Sequence, residues 1–243
     1  MINIILNRTN FNEEWAYEYL GGLLTADMHV LIMPLFADEG WAGDSAAFAQ
    51  KYHRGSRSYE KIAEPFRAYQ ITDEQMQWFN PYLDDRQTLQ RRLQDSSLVY
   101  LIGNDPDDMM ECIEDKEIQD DLRNYTGIFM SNASGSKIMM DEYASDHEWK
   151  EDGGRGLGIL QGFSLETGYI EDEKHLHRMI RSIEEKGRAV FGCPDKAGIL
   201  IRDGHYDLMG DAFICSDEDL DHLYQAYEDA RSRQEYYGDN GDW

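Results

Sequence analysis

Short, nearly unbroken apolar runs rich in β-branched residues alternate along this chain with longer amphipathic stretches, and few architectures accept that alternation. Ile2–Leu6, His29–Leu35, Leu98–Ile102, Gly127–Met130, Gly156–Leu160 and Arg188–Phe191 read as strands. Apolar residues at successive positions suit strands covered on both faces, as in a parallel sheet between helices. Glu13–Leu24, Ser58–Tyr69, Arg86–Gln94, Asp107–Asn124, Asp172–Lys186 and Asp217–Ser232 read as helices. In the fourth of these Met109, Met110, Ile113, Ile118 and Leu122 recur at roughly helical intervals, and Pro106 suits an early helical position, where no backbone N–H partner is lost. Asp105, Asp107 and Asp108 complement the dipole at that start, and the paired methionines 109–110 and 139–140 read as core filler. Near the C-terminus Asp203-Gly204 is a favoured hairpin turn between two short runs, with a third run after Gly210. The expectation is an α/β fold, mostly parallel with an antiparallel hairpin, forming one domain over residues 1–232. Residues 233–243, polar and glycine-containing, read as a flexible tail.

Charge narrows the function classes. With 23 Lys and Arg against 48 Asp and Glu, the formal net charge is −25. Binding nucleic acid or an anionic membrane by bulk charge needs the opposite sign, so neither is expected as a partner. No stretch approaches the roughly 18 apolar residues of a transmembrane helix, and the N-terminus lacks a basic region before its short apolar run. Cys112, Cys193 and Cys215 have no paired spacing. Free thiols in a cytoplasmic protein are the expectation, with Cys193 a core residue. His175 and His177 with Glu171 and Glu173 lack the i, i+4 spacing of a zinc helix, so the sequence predicts neither a metal nor a cofactor.

In open parallel sheets ligands bind beyond the carboxyl ends of the strands. Two junctions of that kind stand out. Leu101-Ile102-Gly103-Asn104-Asp105-Pro106 runs from a strand through a turn into a helix. Gly127 through Ile138 ends a strand in Ser131-Asn132-Ala133-Ser134-Gly135-Ser136, the small residues a nucleophile elbow requires. A plain helix start capped by Asn132 or Ser134 accounts for the same residues.

The order of these segments, followed by Gly156-Leu157-Gly158-Ile159, then Phe163 through Tyr169 and the hairpin at Asp203-Gly204, resembles the S51 serine peptidases. That is the family of peptidase E and cyanophycinase, and the closest likeness is to its type 1 glutamine-amidotransferase-like branch. The resemblance runs from about Tyr100 to Cys215 and is ungapped across the elbow. It implies a flavodoxin-like three-layer α/β/α sandwich, and a serine nucleophile, histidine base and acidic partner acting on aspartyl substrates. Carried over residue by residue, the nucleophilic serine falls on Ala133 and the histidine on Gly168. Ser131 and Ser134 flank the nucleophile position, and the second glycine of the family's Gly-Gly turn falls on Asn104. The acidic member falls among Asp141, Glu142, Asp146 and Glu148.

Alanine offers no nucleophile and glycine no proton acceptor, so the positions as carried over cannot form an acyl-enzyme. The expected function is therefore a degenerate S51-type protein, binding a small molecule or short peptide in a vestigial cleft, or regulating a protein partner. Gly103, Asn104, Ser134 and Gly135 are its candidate ligand residues, with backbone N–H groups at the Ser134 helix start favouring an anion. A competing reading makes Ser134 a shifted nucleophile, with a base from His147, His175 or His177. Another places the function in partner binding through the acidic surface or residues 36–70.

Overall fold

The structure is a computed structural model, and it describes residues 1–35, 44–145 and 153–238, with side chains to residue 233. In chain order it runs β1 (Ile2–Leu6), α1 (Glu14–Leu20), β2 (Val30–Pro34), α2 (Ser45–Lys51), α3 (Arg57–Ala68), β3 (Met76–Trp78), α4 (Arg86–Asp95) and β4 (Leu98–Ile102). Then come α5 (Pro106–Asp115), α6 (Gln119–Arg123), β5 (Ile128–Asn132), α7 (Ser134–Ile138), β6 (Glu142–Tyr143), β7 (Gly154–Arg155) and β8 (Ser164–Thr167). The chain ends with α8 (Glu173–Lys186), β9 (Val190–Cys193), β10 (Ala197–Arg202), β11 (His205–Gly210), β12 (Phe213–Cys215) and α9 (Leu220–Gly238).

Seven strands form the central sheet in the order β11-β10-β1-β5-β4-β2-β3. From β1 to β3 every pair is parallel, while β10 and β11 close the other edge as the antiparallel hairpin expected around Asp203-Gly204. Alternate side chains of one strand serve opposite layers: Ile5 and Phe129 meet one core, Ile4, Leu6 and Met130 the other. The first core is covered by α4 to α7 through Leu89, Met109, Leu122 and Ile138; the second by α1 and α3 through Leu20, Ile62 and Phe66. Each such side chain, fully buried, contributes about 2 kcal/mol of transfer free energy. The result is the α/β/α layering of the expected fold class.

Several elements differ from the sequence expectation. Gly156–Leu160 forms no strand. Its backbone instead lies across the end of α7, where Leu157 N–H donates to Ile138 O at 2.6 Å and Leu160 N–H to Met139 O at 3.0 Å. A Cβ on Gly156 would stand 2.3 Å from Met140 O, so glycine is required by this close approach rather than by a strand. The expected helix over 107–124 is two helices. The break is a Schellman closure in which Ile118 N–H reaches Ile113 O and Glu117 N–H reaches Glu114 O, with Glu117 left-handed at φ 54°.

The third run after Gly210, β12, does not join the hairpin. It pairs with β9, and β9 pairs in parallel with β8, which makes a separate three-stranded sheet beside α8 and α9. Helix α9 continues to Gly238, past the start expected for the tail, and residues 239–243 lie outside the described residues. Of the stretch 36–70, residues 36–43 also lie outside them, and the remainder contains α2 and α3. Among the described residues no helix is long and apolar enough to cross a membrane.

Candidate functional site

Strand β5 ends at Asn132 and α7 begins at Ser134, so Ala133 alone turns the chain. It does so at φ 46°, ψ −119°, a conformation that costs a non-glycine residue about 1–3 kcal/mol. Surrounding contacts enforce it. Ala133 N–H donates to Leu6 O at 3.0 Å, and Ser136 N–H returns to Ala133 O at 3.0 Å. Beneath the turn Ser136 Oγ donates to Leu6 O at 3.1 Å and stands 3.0 Å from Ser131 Oγ; both serines are wholly buried. A Cβ on Gly135 would lie 2.8 Å from Leu101 O, so α7 can approach β4 this closely only with glycine there. This is the backbone of an elbow, with a methyl group at its apex.

Ser134, one residue on, is 5% exposed, and its hydroxyl donates to Asn104 O at 2.6 Å. A peptide carbonyl is no proton acceptor at neutral pH, so this bond fastens the elbow to the β4–α5 turn without activating the oxygen. In that turn Gly103 lies against Met109, where a Cβ would fall 2.2 Å from the sulfur. Asp105 caps α5 by accepting from Asp107 N–H at 2.8 Å and Asp108 N–H at 3.1 Å, and Pro106 opens the helix. Asp107 does more than complement the dipole: its carboxylate accepts from Tyr143 Oη and Ser145 Oγ, each at 2.8 Å.

Gly168 follows β8 with φ 67°, and its N–H donates to Asn7 Oδ1 at 2.8 Å. A Cβ there would meet nothing nearer than that oxygen, at 3.9 Å. Contacts therefore run from Asn104 through Ser134 and Ala133 to Leu6, and on through Asn7 to Gly168. The fold thus gathers Asn104, Ser134, Ala133 and Gly168 along the carboxyl ends of β4, β5, β1 and β8. Asn7 is the member that sequence reasoning missed. Its only signal was position, as the first polar residue after the β1 run.

Among the described residues, the remaining candidates are occupied elsewhere. Asp141 forms a two-pronged ion pair with Arg188 at 2.9 and 3.0 Å, and Glu142 pairs with Lys186 at 3.2 Å. Asp146, His147 and Glu148 lie outside the described residues. His175 directs Nδ1 at Asp172 Oδ1, 2.7 Å away, and Nε2 toward Glu166 Oε1 at 3.8 Å. His177 instead faces the Tyr227 ring. Burial pushes the Cys193 thiol up to about 12, which leaves it protonated at neutral pH. Among the described residues no group of three or more His, Cys, Asp or Glu side chains is placed to hold a metal ion. Helix α7 spans only five residues, so its dipole is small and the anion preference expected at Ser134 has little support from it.

No protein-family model matches this sequence, and no curated protein matches it. Solved structures do. A protein from Listeria monocytogenes EGD-e, described as a peptidase E protein, superposes with a TM-score of 0.60 at 10% identity, over 85% of this chain and 96% of its own. The chain has the fold of that peptidase E structure. A peptidase from an acI-B1 Actinobacterium aligns with a TM-score of 0.48 at 12% identity, over 88% of this chain and 93% of its own. In this peptidase E-like fold the strained residue at the carboxyl end of β5 is Ala133, and the loop leaving β8 reaches the elbow through Gly168 and Asn7.

Proposed function

We propose that this chain is a catalytically degenerate protein on a peptidase E-like fold, using the cleft between Asn104, Ser134, Asn7 and Gly168 to hold a small molecule or a peptide end. The observation that carries the reading is Ala133 itself. The elbow retains its strained backbone, φ 46° and ψ −119°, while its apex carries a methyl group. Strain of that size persists where surrounding structure maintains it, and here it no longer presents a nucleophile. Ser134 does not replace it, because its hydroxyl proton points at a carbonyl and among the described residues Asn104 O is its hydrogen-bond partner. Neither His175 nor His177 supplies the missing base, since their contacts lie on and around α8. What these residues offer a ligand is amides and a hydroxyl, suited to polar recognition rather than acyl transfer.

The test is intact mass after treatment with a fluorophosphonate probe, on the parent and on Ser134→Ala. No adduct on either protein, together with no cleavage of an Asp-X dipeptide, is expected. One adduct on the parent that disappears in the variant would make Ser134 the nucleophile and end the degenerate reading. Ligand occupancy is read separately, as a gain in thermal stability by mass action when short peptides are added.

A further inference from the structure

Two consecutive residues at the end of β5 are held at a cost by the folded chain. Ala133 has its strained backbone, and Asn132, the last residue of the strand, has an amide oxygen without a hydrogen bond. Asn132 is 8% exposed, and among the described residues its Oδ1 has no partner and no contact with solvent. Buried polar atoms are normally bonded, because an unmet one has left water with nothing in return. Strand alternation accounts for the isolation. Ser131 faces α7, where its hydroxyl meets that of Ser136, so Asn132 faces the opposite layer, beside its register partner Leu6 on β1. Leu6 and Met130 belong to the apolar core there, and Ile102 on β4 packs against it. None of these three side chains offers a hydrogen bond.

Position gives this amide a use. It lies one residue before the elbow apex, at the carboxyl end of β5 between β1 and β4, where ligands of open parallel sheets bind. Nor is it sealed in. Asn132 keeps 8% of its surface accessible, and an asparagine amide turns readily about χ2, so its oxygen can come to the accessible edge. The turn that leaves β1 adds a second unmet acceptor at this end of the sheet, Asn10 Oδ1, while Asn10 Nδ2 donates to Glu13 Oε1 at 3.0 Å. Glu13 in turn pairs with Lys196 at 2.9 Å.

We propose that Asn132 is a ligand contact of the elbow cleft, and that the group it takes is a neutral amide. The inference rests on the reading of that cleft as a binding site and names the chemistry of its ligand. An amide carries a donor and an acceptor side by side, so it meets the Asn132 carboxamide whichever way that turns. A carboxylate has acceptors only and leaves Oδ1 unmet. An ammonium group has donors, but it brings a charge to a nearly buried position, where Glu13 of the adjoining turn is already engaged by Lys196.

Thermal unfolding of the full chain, titrated with N-acetylalaninamide and separately with N-acetylalanine at constant ionic strength, tests this. The amide should raise the parent's midpoint saturably, at a concentration about tenfold lower than the carboxylate needs, the factor that one hydrogen bond supplies. Asn132→Leu, which keeps the branched outline of the side chain, should lose that preference. Asn132→Ala should lose it too, which separates a lost contact from crowding by the leucine methyls. Failure of both probes to stabilise the parent would remove the cleft as a binding site, and this contact with it. Equal stabilisation by both probes, a preference for the carboxylate, or a preference that persists in Asn132→Ala would overturn the contact at Asn132 and leave the cleft reading in place.

Discussion

Ala133 and Gly135 sit two residues apart, and both positions favour the smallest side chain, for different reasons. Ala133 has a Cβ in a conformation that glycine adopts freely, so Ala133→Gly should raise stability by about 1 kcal/mol, the relief of strain less the extra entropy of an unfolded glycine. A higher midpoint in urea unfolding is the expected reading, and a lower one would show that the methyl group packs usefully. Gly135 has no such latitude. Its missing Cβ would overlap Leu101 O on β4, so Gly135→Ala should cost about 1–3 kcal/mol by forcing α7 off the sheet. The same urea titration reads it. One requirement follows from backbone dihedrals and the other from backbone approach, and the run of small residues in the sequence signalled their presence without saying which position took which role.

At the scale of elements, α5 shows what local pattern conveys and what it omits. That Asp105 caps the helix is seen in the structure, while Pro106 and the acidic helix start at Asp105 were legible from residue type and order, which act across three or four residues. The end of the helix was not. Apolar spacing continues through Ile118 and Leu122, yet the chain closes at Glu117, which takes the left-handed position usually given to glycine. Ile113 and Ile118, whose backbones close the turn, both enter the same core, and that burial outweighs the cost of the glutamate backbone. Glu117→Gly should therefore raise the thermal midpoint, by about 1 kcal/mol of stability, with no change in helix content by circular dichroism. A loss of helix would show that Glu117 contributes through its side chain. Gly156–Leu160 is the converse case, a run with strand composition whose backbone serves the end of α7 instead.

Across the whole molecule, the acidic surplus sets the response to pH. Asp73, beyond the end of α3, accepts from Arg67 Nε at 2.7 Å and Nη2 at 3.0 Å, and pairs with Arg54 Nε at 2.7 Å. The hydrogen bond from Arg67, aided by the charge of both arginines, holds its carboxyl below the ordinary 3.8. Because the folded value lies below the unfolded one, Asp73 contributes fully above about pH 4 and loses that contribution as pH falls through the folded value. Urea midpoints between pH 6 and pH 2 should decline more steeply for the parent than for Asp73→Asn, chiefly below pH 4. Parallel declines would remove Asp73 from the acid response.

What the sequence determined alone was the layered α/β class, most of the strands and helices, the hairpin at Asp203-Gly204 and the two strand-to-helix junctions after β4 and β5. These follow from periodicity and turn chemistry, which act over a few neighbouring residues. Tertiary structure alone decided which distant groups meet. Asn7 joins Gly168 across 161 positions, β8 and β9 recruit β12 into a second sheet, and Lys137 comes to line one cavity with Glu166 and the cations of α8. No local signal encodes such pairings, because they depend on which surfaces remain to be buried once the layers have packed.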